Sequence, residues 1–175
     1  MDILARVNWV DVLALIIIIR ISYVAFKDGL SHEIFPLVTT VFTLTIALQY
    51  YTILGEFLSN GFLKLPVGLA NFLTFTALIA VSWVIFKFIK IILDKIIKVK
   101  WHAALEKIGG LIVGMVRSFV VVSIILILLS LVPIPYLGKS IRDRSVTGLH
   151  FVQMGYDVHE KLSKVFPAVD SPAKK

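Results

Sequence analysis

The chain has 175 residues, of which 58% are hydrophobic and 17% charged, with a formal net charge of +7 and no cysteine. Soluble domains carry roughly 45–50% apolar residues even with glycine counted, and the lack of cysteine excludes disulfides, thiolate metal sites and a cysteine nucleophile. The basic excess lies between and beside apolar runs, so it predicts the lipid bilayer and its anionic headgroups as partner and no nucleic acid.

A hydrocarbon core of ~30 Å takes ~20 residues of helix, and four runs reach that length, at about 7–26, 34–54, 66–86 and 108–132. A membrane barrel would instead show short alternating strands, from about eight upward. The fold class is therefore all-α: a polytopic membrane protein with four transmembrane helices plus amphipathic surface helices. Residues 1–132 form the membrane domain and 133–175 a tail. The start, Met1-Asp2-Ile3 with Arg6 the only basic residue before the first run, is not expected to be a cleavable signal.

In chain order, Asn8 caps the first span, with Asp11 as its capping-box partner three residues on. Lys27-Asp28-Gly29 breaks the chain, and Ser31 or Asp28 is placed to cap the second helix. Pro36 follows in its first turns, where a missing N–H costs little. Thr39, Thr40, Thr43, Thr45 and Thr52 of that span are expected to bond backbone carbonyls or cross to neighbours. Pro66 opens the third span. Beyond it, 88–99 continues the helix with Lys87, Lys90, Asp94, Lys95 and Lys98 on an arc of about 140°, a basic amphipathic surface on which Lys87, Lys90, Lys95 and Lys98 contact lipid headgroups. Gly109-Gly110 softens the start of the fourth span and Pro133-Ile134-Pro135 ends it. In the tail, at about 145–166, Phe151, Met154, Val158, Leu162 and Val165 share a helix face, which suits either the bilayer or the bundle. Residues 167–175 are expected to be disordered. Trp9, Tyr50, Tyr51, Trp101 and Tyr136 fall near span ends, as interfacial aromatics do.

Four spans put both termini on one side. The connection 87–107 holds six lysines against Asp94 and Glu106, whereas the second connection holds Lys64 and Glu56. Positive-inside counting places the third connection in the cytoplasm and both termini in the periplasm, although the tail adds seven basic residues of its own.

The residues inside the spans with chemical potential are few. Arg117 lies nine residues into the fourth span, about 13 Å deep at 1.5 Å per residue. An arginine at a span centre costs ~2.5–3.5 kcal/mol on the insertion scale. Seventeen Leu, Ile, Val and Phe residues in the same span offset this. Either Arg117 snorkels to the headgroups or it has a partner. Glu33, at the start of the second span, is the nearest carboxylate by depth and the proposed partner. The small-residue stripe Gly110, Gly114 and Ser118 is expected to let the neighbouring helix approach for that pairing. Arg20 reads as a snorkelling residue. His32, His102, His150 and His159 lack metal-ligand spacing, and neither a glycine-rich phosphate loop nor a Gly-x-Ser-x-Gly elbow occurs. No cofactor, metal or enzymatic activity is expected.

Three stretches carry a resemblance: Asn8-Trp9-Val10-Asp11, Lys27-Asp28-Gly29-Leu30-Ser31-His32-Glu33, and Glu106-Lys107-Ile108-Gly109-Gly110 through Gly114 to Arg117-Ser118. Over roughly residues 8–132 the chain resembles the colicin V production protein (CvpA) family. It departs from the family's pattern with Glu106 where Asp is usual and Ser118 where Gly is usual, and the tail after Pro133 matches little. The resemblance implies a four-helix protein of the bacterial inner membrane, linked to colicin V production or export and to envelope homeostasis. The expected role is that of a helper or scaffold working through a membrane-protein partner or a homo-oligomer. The alternative is a small oligomeric channel or transporter with Arg117 and the threonine face lining its path.

Overall fold

A computed structural model describes residues 8–62, 65–96, 103–141, 145 and 147–165. Four helices are long and apolar enough to cross a bilayer: α1 (Trp9–Asp28), α2 (Leu30–Phe57), α3 (Val67–Ile96) and α4 (Ala103–Leu131). No strand occurs among the described residues. The protein is a multi-pass membrane protein, completed by a short helix α5 (Pro135–Lys139) and a tail helix α6 (Gly148–Val165). Lys98, Trp101 and residues 167–175, to which the sequence assigned roles, lie outside the described residues, as does the side chain of Lys95.

Local chemistry sets the helix ends. Asn8 accepts from the Trp9 amide at 2.7 Å, and Asp11 accepts from the Asn8 amide at 2.9 Å, a complete capping box. At the other end of α1 a single residue reverses the chain. Gly29 has φ +85° and ψ 170°, a region essentially confined to glycine, and α2 starts on the next residue. The second helix thus begins four residues before the expected span. It ends in a π-helical turn, Leu58–Phe62. Pro66 precedes α3, and its carbonyl accepts from the Ala70 amide at 3.0 Å. No proline or glycine follows Gly68 before Ile96, so α3 runs unbroken from the third span through most of the lysine-rich stretch.

The main helix contacts are α1 with α4, α4 with α2 and α2 with α3. Across the membrane the order is therefore α1–α4–α2–α3, a row with α1 and α3 at its edges. Phe75 of α3 packs with Leu44, Ala47 and Leu48 of α2 and with Val120, Ile124 and Ile127 of α4. Val10 and Ala14 of α1 pack with Val122 and Leu126 of α4 and with Ile141. In lipid such contacts are held by close packing and polar joints, because acyl chains are as apolar as leucine. Leu15, Ile16 and Ile19 are 57–59% exposed on α1. That patch would be a liability in water, and it is the surface a bilayer covers.

The tail helix rests on the bundle. The ring of Phe151 sits 5.9 Å from that of Phe119, and Val152 and Val158 pack against the core. Gly155 is buried so tightly that a Cβ there would lie 3.1 Å from that of Ser123. The buried face of α6 is accordingly turned toward Val152 and Gly155, relative to the apolar stripe that spacing alone selects. Glycine is the residue that lets two helix backbones come this close.

Candidate functional site

The start of α4 is built around the α1–α2 turn. The first amides of α2 have no partner within their own helix, and Gly29 has no side chain to cap them. Glu106 of α4 does so instead: it accepts from the Ser31 amide at 3.1 Å through Oε2 and from the Ser31 hydroxyl through Oε1. A carboxylate there also complements the positive end of the α2 dipole. This corrects the assignment of the cap to Ser31 or Asp28, since Ser31 is the capped residue and the capping group comes from 75 positions away. No local sequence pattern signals a cap supplied from a distant helix.

The two glycines after Glu106 straddle the turn. A Cβ on Gly109 would lie 2.9 Å from Leu30 Cδ2, and one on Gly110 would lie 2.9 Å from Gly29 Cα and closer still to the Ala25 carbonyl. Gly114 lies against the Cβ of Ala25. Ser118 is fully buried and donates to the Met115 carbonyl at 2.6 Å. The stripe Gly110–Gly114 therefore serves the contact of α4 with α1, whereas the sequence had it serve the approach of Glu33 on α2.

One turn beyond this joint, Arg117 Nη1 donates to Glu33 Oε1 in a salt bridge between α4 and α2. The Glu33 side chain is 3% exposed and that of Arg117 26%. The pair borders an open cleft of about 530 Å3 that Val24, Asp28, His32, Pro36 and Lys90 also line. Asp28 and Lys90 both lie within electrostatic reach of Glu33. A second cavity of about 190 Å3 is lined by Arg20, Ile21, Val24 and Arg117. The lysine arc is split by this arrangement: Lys87 is exposed, with its ammonium 5.2 Å over the Trp83 ring, while Lys90 turns to the cleft. Among the described threonines, Thr39 and Thr40 donate to the Pro36 carbonyl and Thr45 to that of Val41. The described residues contain no group of three His, Cys, Asp or Glu side chains able to hold a metal.

At the opposite end, Asp11 does more than cap α1. Its Oδ1 accepts from the Ser145 hydroxyl at 2.7 Å, the Thr147 amide at 3.0 Å and the Thr147 hydroxyl at 2.6 Å. Asn8 Nδ2 donates to the Ser140 carbonyl at 3.1 Å. The first turn of α1 thus latches the segment leading into α6. The one local signal for this was the pair Ser145 and Thr147, hydroxyl residues just before an amphipathic run.

The family model of the colicin V production protein matches residues 10–155. The match runs past residue 132, where the resemblance read from sequence ended, through the latch residues and into α6. No curated protein and no solved structure gives a match. With most of its length matched, the chain belongs to the colicin V production protein family.

Proposed function

We propose that, as a member of this family, the chain is a non-enzymatic helper or scaffold in colicin V production, secretion or envelope homeostasis. In this reading it resides in the bacterial inner membrane and acts by helix–helix contact with a membrane-protein partner or a second copy. The observation that carries this reading is where the polar groups of the spans go. Glu106 holds the start of α2, Glu33 holds Arg117, and Asp11 holds the tail. These three carboxylates are engaged in joints that fix one helix against another, which is what a scaffold requires.

The test is release of colicin V from cells lacking the gene, complemented with full-length variants. A double variant Arg117→Leu, Glu33→Gln that still assembles should restore release, because a scaffold needs the assembled bundle and not the charges of this pair. An assembled but inactive double variant would favour the second reading, a small oligomeric channel or transporter. The charged cleft of about 530 Å3 is the observation behind that alternative. Because the chain has no cysteine, a single cysteine at Val24 or Pro36 reports directly. Labelling by a membrane-impermeant thiol reagent in every protomer supports a water path. The orientation, with the lysine-rich third connection in the cytoplasm and both termini in the periplasm, is tested by reporter fusions after Lys98 and Lys164. The two should report opposite compartments in that order.

A further inference from the structure

Arg20 is a charge left over by the joints described above. It is exposed on α1 and makes no hydrogen bond or ion pair among the described residues, whereas Arg117 has Glu33. Arg20 stands eight residues before Asp28 on α1, about 12 Å from that helix end at 1.5 Å per residue. Arg117 stands seven residues past Gly110, which abuts Gly29, and so lies about 10 Å in from the same level. The Cβ of each residue leans toward its own helix N-terminus. Because α1 and α4 run antiparallel, Arg20 leans toward the membrane centre and Arg117 toward the headgroups. The two Cβ directions diverge in depth, and what relates the residues is the cavity that both line. Snorkelling toward the near helix end is the unfavourable direction for Arg20.

The cavity is walled otherwise by Ile21 and Val24, with no carboxylate in its lining. The Nε of Arg117 is buried and has no hydrogen-bond partner. Glu33 answers the charge of Arg117, so one positive charge, that of Arg20, remains uncompensated beside the cavity, and within the spans it is poorly solvated unless an anion joins it. We propose that Arg20 and Arg117 form a binding site for a phosphoryl group in the cavity they share. A guanidinium offers a planar fork of donors that matches phosphate oxygens. The volume of about 190 Å3 corresponds to about six waters at ~30 Å3 each, room for a phosphodiester. An anionic phospholipid presents its phosphate to the two arginines while its acyl chains lie on the apolar walls within the spans, and a soluble phosphate is the other source of the same group. The site does not depend on the scaffold reading, because it is defined by lipid or phosphate binding whatever the cellular role.

The experiment is a thermal-shift titration of purified full-length protein in detergent. It compares the wild type, Arg20→Gln and, as a control on an exposed tail cation, Lys161→Gln. The additions are phosphatidylglycerol, phosphatidylcholine with the same acyl chains, and sodium phosphate against sodium chloride at equal ionic strength. Phosphatidylglycerol should stabilise the wild type and Lys161→Gln alike, phosphatidylcholine should not, and Arg20→Gln should need about tenfold more lipid. A phosphate shift that Arg20→Gln weakens, without a lipid shift, supports the same site with a soluble source. Equal shifts in wild type and Arg20→Gln overturn the proposal. So do equal shifts from the two lipids, or no shift from any phosphoryl compound. Should Arg20→Gln fail to assemble, Arg20→Lys keeps the charge and loses the fork. It should bind severalfold more weakly, and unchanged binding overturns the proposal.

Discussion

Replacing Arg117 by leucine should destabilise the protein more than replacing Glu33 by glutamine, and removing both should cost much less than the sum. The asymmetry follows from burial. With Arg117 gone, a carboxylate that is 3% exposed is left without its counter-charge, and breaking a buried pair this way costs about 3–5 kcal/mol. With glutamine at 33, Arg117 keeps an amide oxygen to donate to, and its side chain, 26% exposed, can turn into the open cleft. The loss is then that of a charged hydrogen bond, about 1.5–3 kcal/mol. The double variant leaves a buried neutral amide, worth about 1–3 kcal/mol. It should therefore fall short of the summed single effects by about 3.5–5 kcal/mol. The assay is reversible unfolding of the full-length variants in mixed micelles, followed by far-ultraviolet circular dichroism. Effects additive within about 0.5 kcal/mol would refute the coupling and return Arg117 to the status of a snorkelling residue.

Glu106→Ala removes the acceptor for the Ser31 amide and should cost about 1–2 kcal/mol in the same assay, with Glu106→Gln recovering part of it; an unchanged alanine variant refutes the cap. Asp11→Ala breaks the contacts to Ser145 and Thr147, so tryptic cleavage at the exposed Lys161 and Lys164 should quicken by about tenfold or more. A rate equal to the wild type's removes the latch. Burial pushes the His159 imidazole below its ordinary value of 6.5. The undocked tail then binds protons more readily than the docked one, so docking is at full strength above pH 6.5 and weakens as pH falls below it. Tryptic exposure of the tail should rise from pH 7.5 to 5.5 in the wild type and rise less in His159→Gln; identical profiles would discount His159.

The four spans, the break at Gly29, the proline-marked start of α3 and the amphipathic tail were legible in the sequence. Each is set by a local quantity: apolar length against the bilayer, a backbone region open to glycine, a missing amide, a helical period. The pairing of Arg117 with Glu33 could be posed from sequence as well, because the depth of a charge along a span follows from counting residues. The tertiary structure alone decided the lateral arrangement. It placed α4 between α1 and α2, turned Gly110 and Gly114 toward Ala25 and not toward Glu33, supplied the cap of α2 from Glu106, and seated α6 on the bundle through Gly155. In water an apolar stripe marks the face a helix buries. In a membrane, lipid and protein are equally apolar partners, so the hydrophobic pattern that fixes where a helix lies in depth carries almost no information about which of its faces meets a neighbour.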